Sequence, residues 1–115
     1  MNGISPQLQN QIAQFQQVQQ QLQSVSSQKA QMDSQKREME RTLEELSKST
    51  GAVYRSAGTL LIKVDDTQAL RSELEESIEL MDVRIGSLAR QENGLRERFQ
   101  TLQESINTAM GRAQQ

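Results

Sequence analysis

The sequence predicts a fold dominated by α-helix: a long antiparallel two-helix coiled coil whose helices are joined by one β-hairpin. Apolar residues recur every seven residues along two long stretches, which indicates coiled-coil helices. A short segment rich in β-forming residues separates the two stretches. Aromatic residues make up only 3% of the 115 residues, which is too few large side chains for a globular core. We expect one structural unit over residues 1–115, with helix 1 at 5–50, the hairpin at 52–64 and helix 2 at 66–111.

The first helix is predicted to begin at Ser5-Pro6. Serine can accept a hydrogen bond from a free N–H of the first turn, and proline is well tolerated at the first helical position. Gly51 suits the left-handed position that follows a helix. The predicted seam holds Leu8, Phe15, Leu22, Lys29, Lys36 and Leu43 at one heptad position and Gln11, Val18, Val25, Met32, Met39 and Leu46 at the other.

The second helix is predicted to begin near Asp65-Asp66, since either aspartate can cap it. Its connection to the first helix is short, so the two helices must fold back antiparallel, which brings both chain ends to one tip. The second predicted seam holds Arg71, Ile78, Ile85, Glu92, Phe99 and Ile106 at one position and Thr67, Leu74, Met81, Leu88, Leu95, Leu102 and Ala109 at the other.

The connector changes from a helical pattern to a β pattern, with two β-rich segments on either side of Ala57-Gly58. Gly58 fits the positive φ of either a type II turn or a G1 bulge, and these differ by one residue in strand register. Both faces of the hairpin carry apolar residues, which a two-stranded sheet cannot bury by itself. This favours addition to a larger sheet made with copies or relatives, rather than simple capping of the coiled coil.

Lys29 and Lys36 occupy seam positions on the first helix, and Glu92 does so on the second. The preferred interpretation is that their stems pack in the seam while their charged groups reach water. The alternative is a Lys29–Glu92 pair that fixes the register of the two helices.

The first helix's share of the predicted tip is uncharged, since no charged residue occurs in residues 1–28, and residues 105–111 of the second helix carry none either. One interpretation is an ordinary coiled-coil end whose apolar residues pack on each other. The other is a frayed end, because terminal turns lack backbone partners, and such an end exposes adaptable apolar surface among glutamines. The apolar residues brought together there are Ile4, Leu8, Ile12, Phe15, Val18, Leu102, Ile106, Ala109 and Met110.

Composition argues against catalysis and against several classes of partner. The chain has no cysteine, no histidine and no glycine-rich loop ending in Gly-Lys-Ser/Thr, so we expect no enzyme activity, no cofactor and no ATP use. A net charge of −2 predicts no nucleic-acid partner. No apolar run approaches the ~20 residues of a membrane span, and no signal peptide is apparent, so we expect a cytoplasmic protein. A membrane-surface helix is disfavoured because the polar face lacks a basic bias.

Three segments resemble the prefoldin family, in particular its archaeal β-type subunits. They are residues 11–21 (QIAQFQQVQQQ), residues 43–46 (LEEL) and, most specifically, residues 53–64 (VYRSAGTLLIKV). The resemblance implies a heterohexamer of α-type and β-type subunits whose hairpins join into a double barrel. It also implies coiled-coil tips that hold unfolded proteins without ATP and pass them to a group II chaperonin. The connector has room for one hairpin, which fits the β type.

The resemblance implies two sets of functional residues. The assembly set is Val53, Tyr54, Leu60, Leu61, Ile62 and Val64. The set that binds unfolded protein is Leu8, Ile12, Phe15, Leu102, Ile106 and Met110. Ile4 precedes the matching segments, and we assign it to the binding set from the frayed-end interpretation alone. The alternative function is a passive structural coiled coil that acts as a spacer or oligomerisation module.

Overall fold

A computed structural model describes residues 4–113, and it contains two long helices joined by one β-hairpin. Helix α1 spans Pro6–Lys48, strand β1 Tyr54–Ala57, strand β2 Leu60–Lys63 and helix α2 Thr67–Ala113. The predicted fold class is confirmed. The chain divides into two compact units. The terminal unit comprises the residues up to Lys29 and those from Ser87 onward, and the hairpin unit comprises Ala30–Gly86.

Each helix begins at a side-chain cap. The Ser5 hydroxyl accepts a hydrogen bond from the Leu8 N–H at 3.1 Å, with Pro6 as the first helical residue. At α2, the Asp66 carboxylate accepts a hydrogen bond from the Ala69 N–H at 3.0 Å. The structure therefore selects the second of the two candidate aspartates as the cap.

The end of α1 differs from the prediction. The helix ends at Lys48, where the Ser49 N–H donates to the Leu46 carbonyl at 3.3 Å and tightens the last turn. Among residues 4–113 the only glycine with positive φ is Gly58, so the left-handed role predicted for Gly51 is wrong. The tightened turn ends the helix without a left-handed residue.

The heptad pattern predicts which side chains of the two helices are buried. Every predicted seam residue is buried or half-buried except Thr67, the first residue of α2. In the terminal unit the rings of Phe15 and Phe99 lie 4.5 Å apart between centroids, tilted by 30°. Further along α1, Lys29 pairs with Glu92. The residue numbers of the partners in α2 therefore decrease as those in α1 increase, so the helices are antiparallel in this unit.

The hairpin has a two-residue turn that matches neither predicted alternative. Tyr54 pairs with Lys63 and Ala57 with Leu60, which leaves Gly58 and Thr59 as the loop. Gly58 has φ = 64° whereas Thr59 is not left-handed, and glycine at the first loop position is typical of a type II′ turn. That turn matches the natural twist of the strands, so the chain reverses without a bulge.

Candidate protein-binding surfaces

The hairpin presents apolar side chains on both faces. Leu60 and Ile62 point to one face and Leu61 to the other, because side chains alternate along a strand. Leu61 is 73% exposed. Of the predicted assembly set, four residues are exposed and two are half-buried: Tyr54, Leu60, Leu61 and Ile62, then Val53 and Val64. No core within this sheet covers the exposed four.

Contacts within the hairpin unit cover only part of the hairpin. Arg55 forms an ion pair with Glu73 of α2 at 3.8 Å. Strand β1 also borders a cavity that is lined in part by Leu46, Leu70 and Leu74 of the two helices. Val53, which immediately precedes this strand, also lines that cavity and is half-buried.

In the terminal unit the structure divides the predicted binding set by exposure. Leu8 is 5% exposed and therefore belongs to the core of the unit, whereas Met110 is 45% exposed. Ile4 is exposed as well. The remaining four are half-buried: Ile12, Phe15, Leu102 and Ile106.

Two grooves run along the terminal unit, and they differ in chemistry. The first, called here the apolar groove, is lined by Ile12, Phe15, Gln16, Gln19, Gln103, Ile106, Asn107 and Met110. The second, called here the polar groove, is lined by Ser5, Gln7, Leu8, Gln11, Thr101, Glu104, Ser105, Thr108, Ala109 and Arg112. The structure thus brings four of the seven predicted binding residues into one groove. Leu8 lines the other, and neither Ile4 nor Leu102 lines either groove.

A polar cluster interrupts the seam of the terminal unit. Glu92 is only 6% exposed, and its carboxylate accepts hydrogen bonds from the Ser26 hydroxyl at 2.6 Å and the Lys29 ammonium at 3.3 Å. Arg96 lies 3.6 Å from the same carboxylate. The hydrogen bond from Ser26, followed by that from Lys29, holds the pKa of Glu92 below its ordinary value. The preferred expectation of a solvated Glu92 is therefore wrong, and the Lys29–Glu92 pair is formed.

Sequence reasoning did not identify Ser26 and Asp82 as polar partners of seam residues. Ser26 precedes Lys29 by one helical turn, and a hydroxyl at that spacing beside a charged seam position was the available signal. In the hairpin unit, Asp82 pairs with Lys36, and this hydrogen bond raises the pKa of Lys36. Asp82 directly follows a seam residue, so its position beside the seam could have been predicted.

Two further exposed apolar side chains lie on α2 in the hairpin unit. Leu80 and Val83 are both more than half exposed, and residues three apart share one face of a helix. Their sequence signal is that they are apolar at positions outside the heptad seam.

Residues 4–113 show no candidate for two other kinds of site. No group of three or more histidine, cysteine, aspartate or glutamate residues in that range could hold a metal ion. No helix in that range is both long enough and apolar enough to span a lipid bilayer. The described residues present apolar side chains to solvent on the hairpin and in the apolar groove.

Comparison with known proteins shows the family of this chain. The family described as "Prefoldin subunit" matches residues 9–113, nearly the whole chain. The chain belongs to the prefoldin family. The prefoldin subunit beta of Methanocella arvoryzae is 53% identical and covers 99% of this chain and 91% of its own length. The prefoldin subunit beta of Methanosarcina mazei is 45% identical and covers 94% and 93% respectively.

A solved prefoldin structure agrees with these relatives. The crystal structure of the prefoldin beta subunit from Thermococcus strain KS-1 matches with a TM-score of 0.83 at 35% identity. The match covers 95% of this chain and 96% of that one. The predicted resemblance to archaeal β-type prefoldin is therefore confirmed. Prefoldins are chaperones, and their subunits form hexamers with other prefoldin subunits.

Proposed function

We propose that this chain is the β-type subunit of an ATP-independent holdase that binds unfolded proteins and delivers them to a group II chaperonin. The observation that carries the proposal is the apolar groove. Its apolar side chains are only partly covered by the chain itself, and none of the eight residues that line it is charged. A surface of this kind is suited to apolar segments that an unfolded protein leaves exposed. We place its action in the cytoplasm, the compartment expected from the sequence.

The hairpin is the proposed site of assembly with an α-type subunit and with other β-type copies. Its support is the exposure of Tyr54, Leu60, Leu61 and Ile62 on a sheet that has open edges. Burying one leucine or isoleucine side chain contributes about 1.5–3 kcal/mol, so covering several of them provides a strong reason to associate. Val53 and Val64 extend the ladder by one hydrogen bond, at 2.8 Å, beyond the two strands.

The proposed mechanism is multivalent. One groove makes a small number of apolar contacts, so a single unfolded segment binds weakly and leaves quickly. A hexamer presents several subunits to one client, and linked weak contacts raise avidity by about 10²–10⁴ without new chemistry. Release then needs no nucleotide, in keeping with the absence of a phosphate-binding loop from the sequence.

The test is suppression of aggregation of a chemically denatured protein, followed by light scattering. We expect the Phe15→Ser, Ile106→Ser double variant to abolish suppression while the assembly keeps its mass. Phe15 also stacks on Phe99, so this variant loosens the seam as well. Met110→Ser removes an exposed groove residue with less effect on the seam, and we expect it to reduce suppression too.

Unchanged suppression in both variants would contradict binding in the groove. A wild-type chain with no affinity for denatured proteins would instead support the passive structural coiled coil.

A further inference from the structure

The two grooves of the terminal unit carry different side chains around their apolar parts. Four amides border the apolar groove, and all four are exposed: Gln16, Gln19, Gln103 and Asn107. The polar groove contains Glu104 and Arg112, a carboxylate and a guanidinium. Its one large apolar side chain, Leu8, is 5% exposed and offers little surface to a ligand.

The amides suit a polypeptide backbone. Each carries an acceptor oxygen and a donor NH₂, which match the N–H and C=O groups of an extended chain. An unfolded segment that enters a groove loses water from those backbone groups, and each group left unpaired costs free energy. Amides at the edges can replace that water, while Ile12, Phe15 and Met110 contact the apolar side chains of the segment.

The absence of charge in the lining sets a limit on the ligand. A charged side chain drawn into this groove would lose hydration and find no opposite charge among the eight lining residues. The groove is open to solvent and has a volume of about 420 Å³, within the range of about 300–1,000 Å³ typical of ligand pockets. It therefore holds a few side chains of an extended segment rather than a folded domain.

We propose that the apolar groove, and not the polar groove, is the docking site, and that its ligand is an extended, uncharged polypeptide segment. The apolar side chains of that segment contact Ile12, Phe15, Ile106 and Met110, and its backbone hydrogen-bonds to the flanking amides. This inference rests on the proposed function. It specifies which face of the terminal unit binds clients and which class of client sequence is bound.

The experiment introduces one charge into each groove by the same isosteric change. Gln16→Glu places it in the apolar groove and Gln7→Glu in the polar groove, and both are exposed glutamines on α1. The probes are a fluorescent peptide of leucine, alanine and serine, the same peptide with a central aspartate, and the same peptide with a central lysine. Binding to the full chain assembled with its α-type partner is measured by fluorescence anisotropy, and helicity is checked by circular dichroism.

We expect the wild type to bind the uncharged peptide about tenfold more tightly than either charged one. Gln16→Glu should weaken binding of the uncharged peptide and make the lysine peptide the preferred ligand. Gln7→Glu should leave all three affinities within about twofold of wild type. Gln103→Glu, on α2, should repeat the effect of Gln16→Glu.

Equal loss of binding in Gln7→Glu and Gln16→Glu would overturn the choice of groove. Equal affinity of the wild type for charged and uncharged peptides would overturn the ligand class. In both cases suppression of aggregation by the wild type would leave the proposed function standing. A wild type that neither binds the peptides nor suppresses aggregation would overturn the proposed function together with this inference.

Discussion

The hairpin and the apolar groove both expose apolar side chains, but the chain itself covers those side chains to different degrees. Leu61 of the hairpin is 73% exposed on a two-stranded sheet that has no core of its own. In the groove, Phe15 is half-buried and already stacked on Phe99. Covering the hairpin therefore gains much free energy and favours lasting association, whereas covering the groove gains less and favours reversible contact.

The sharpest way to break this contrast is to place a charge on the hairpin. We expect Leu61→Asp or Ile62→Asp to disassemble the complex, because a buried and unpaired carboxylate costs several kcal/mol. Analytical ultracentrifugation should then show smaller species. Thr59→Asp is the matched control, since Thr59 is an exposed residue in the turn between the strands.

A high-mass complex that survives both hairpin substitutions would contradict assembly through the hairpin. Disassembly by Thr59→Asp as well would show that a charge anywhere near the turn disrupts the complex. The effect could then not be assigned to the sheet faces rather than to the loop.

A second prediction compares truncations to alanine in the two regions. Val18 in the terminal unit is 2% exposed, so we expect Val18→Ala to lower the free energy of unfolding by about 2 kcal/mol. Leu61→Ala should change it by less than about 0.5 kcal/mol, because exposed side chains contribute little to the fold. Both are measured by urea unfolding in an Ile62→Asp background, where association through the hairpin is removed. Equal losses of unfolding free energy in the two variants would show that Leu61 packs within the chain, and would contradict the difference in burial between the two regions.

The smallest expected effect concerns pH and the Glu92 cluster. The pKa of Glu92 is lower in the folded chain than its ordinary value of 4.5, so its ionised form stabilises the fold at neutral pH. That contribution is fully present above about pH 4.5 and is lost as the pH falls through the folded value. We expect the melting temperature of Glu92→Gln to lie below that of the wild type at pH 7, and the gap to close below pH 4.5. The effect is small because Lys29 and Arg96 reach solvent, which screens their charges.

A gap in melting temperature that stays constant across this pH range would contradict the ionised cluster. Ser26→Ala offers a second check, since it removes the first donor to Glu92 and should move the titration of that carboxyl towards its ordinary value.

Most of the fold could be predicted from the heptad spacing, because a strict seven-residue repeat determines which side of each helix is buried. It could not determine the turn at Gly58, since a glycine with positive φ fits several hairpin turns that differ in register. Nor could it pair Lys29 with Glu92, because antiparallel alignment from a connector of uncertain length carries an error of about one helical turn.

The heptad pattern also could not predict that the terminal unit has one apolar and one polar groove. Periodicity locates the seam, whereas the two grooves depend on which residues flank it on each helix. The sequence grouped Leu8 with Met110, and the structure places Leu8 in the core beside the polar groove and Met110 in the apolar groove.

The most direct test of client binding in the terminal unit uses the methionine methyl groups as probes. The chain is labelled with methyl-¹³C methionine and titrated with an unlabelled, chemically denatured protein, and the methyl spectrum is followed. Met110 lies in the apolar groove, while Met39 and Met81 are seam residues of the hairpin unit. We predict that the Met110 signal shifts or broadens while the other two stay unchanged. Perturbation of Met39 and Met81 with an unchanged Met110 would contradict binding in the terminal unit.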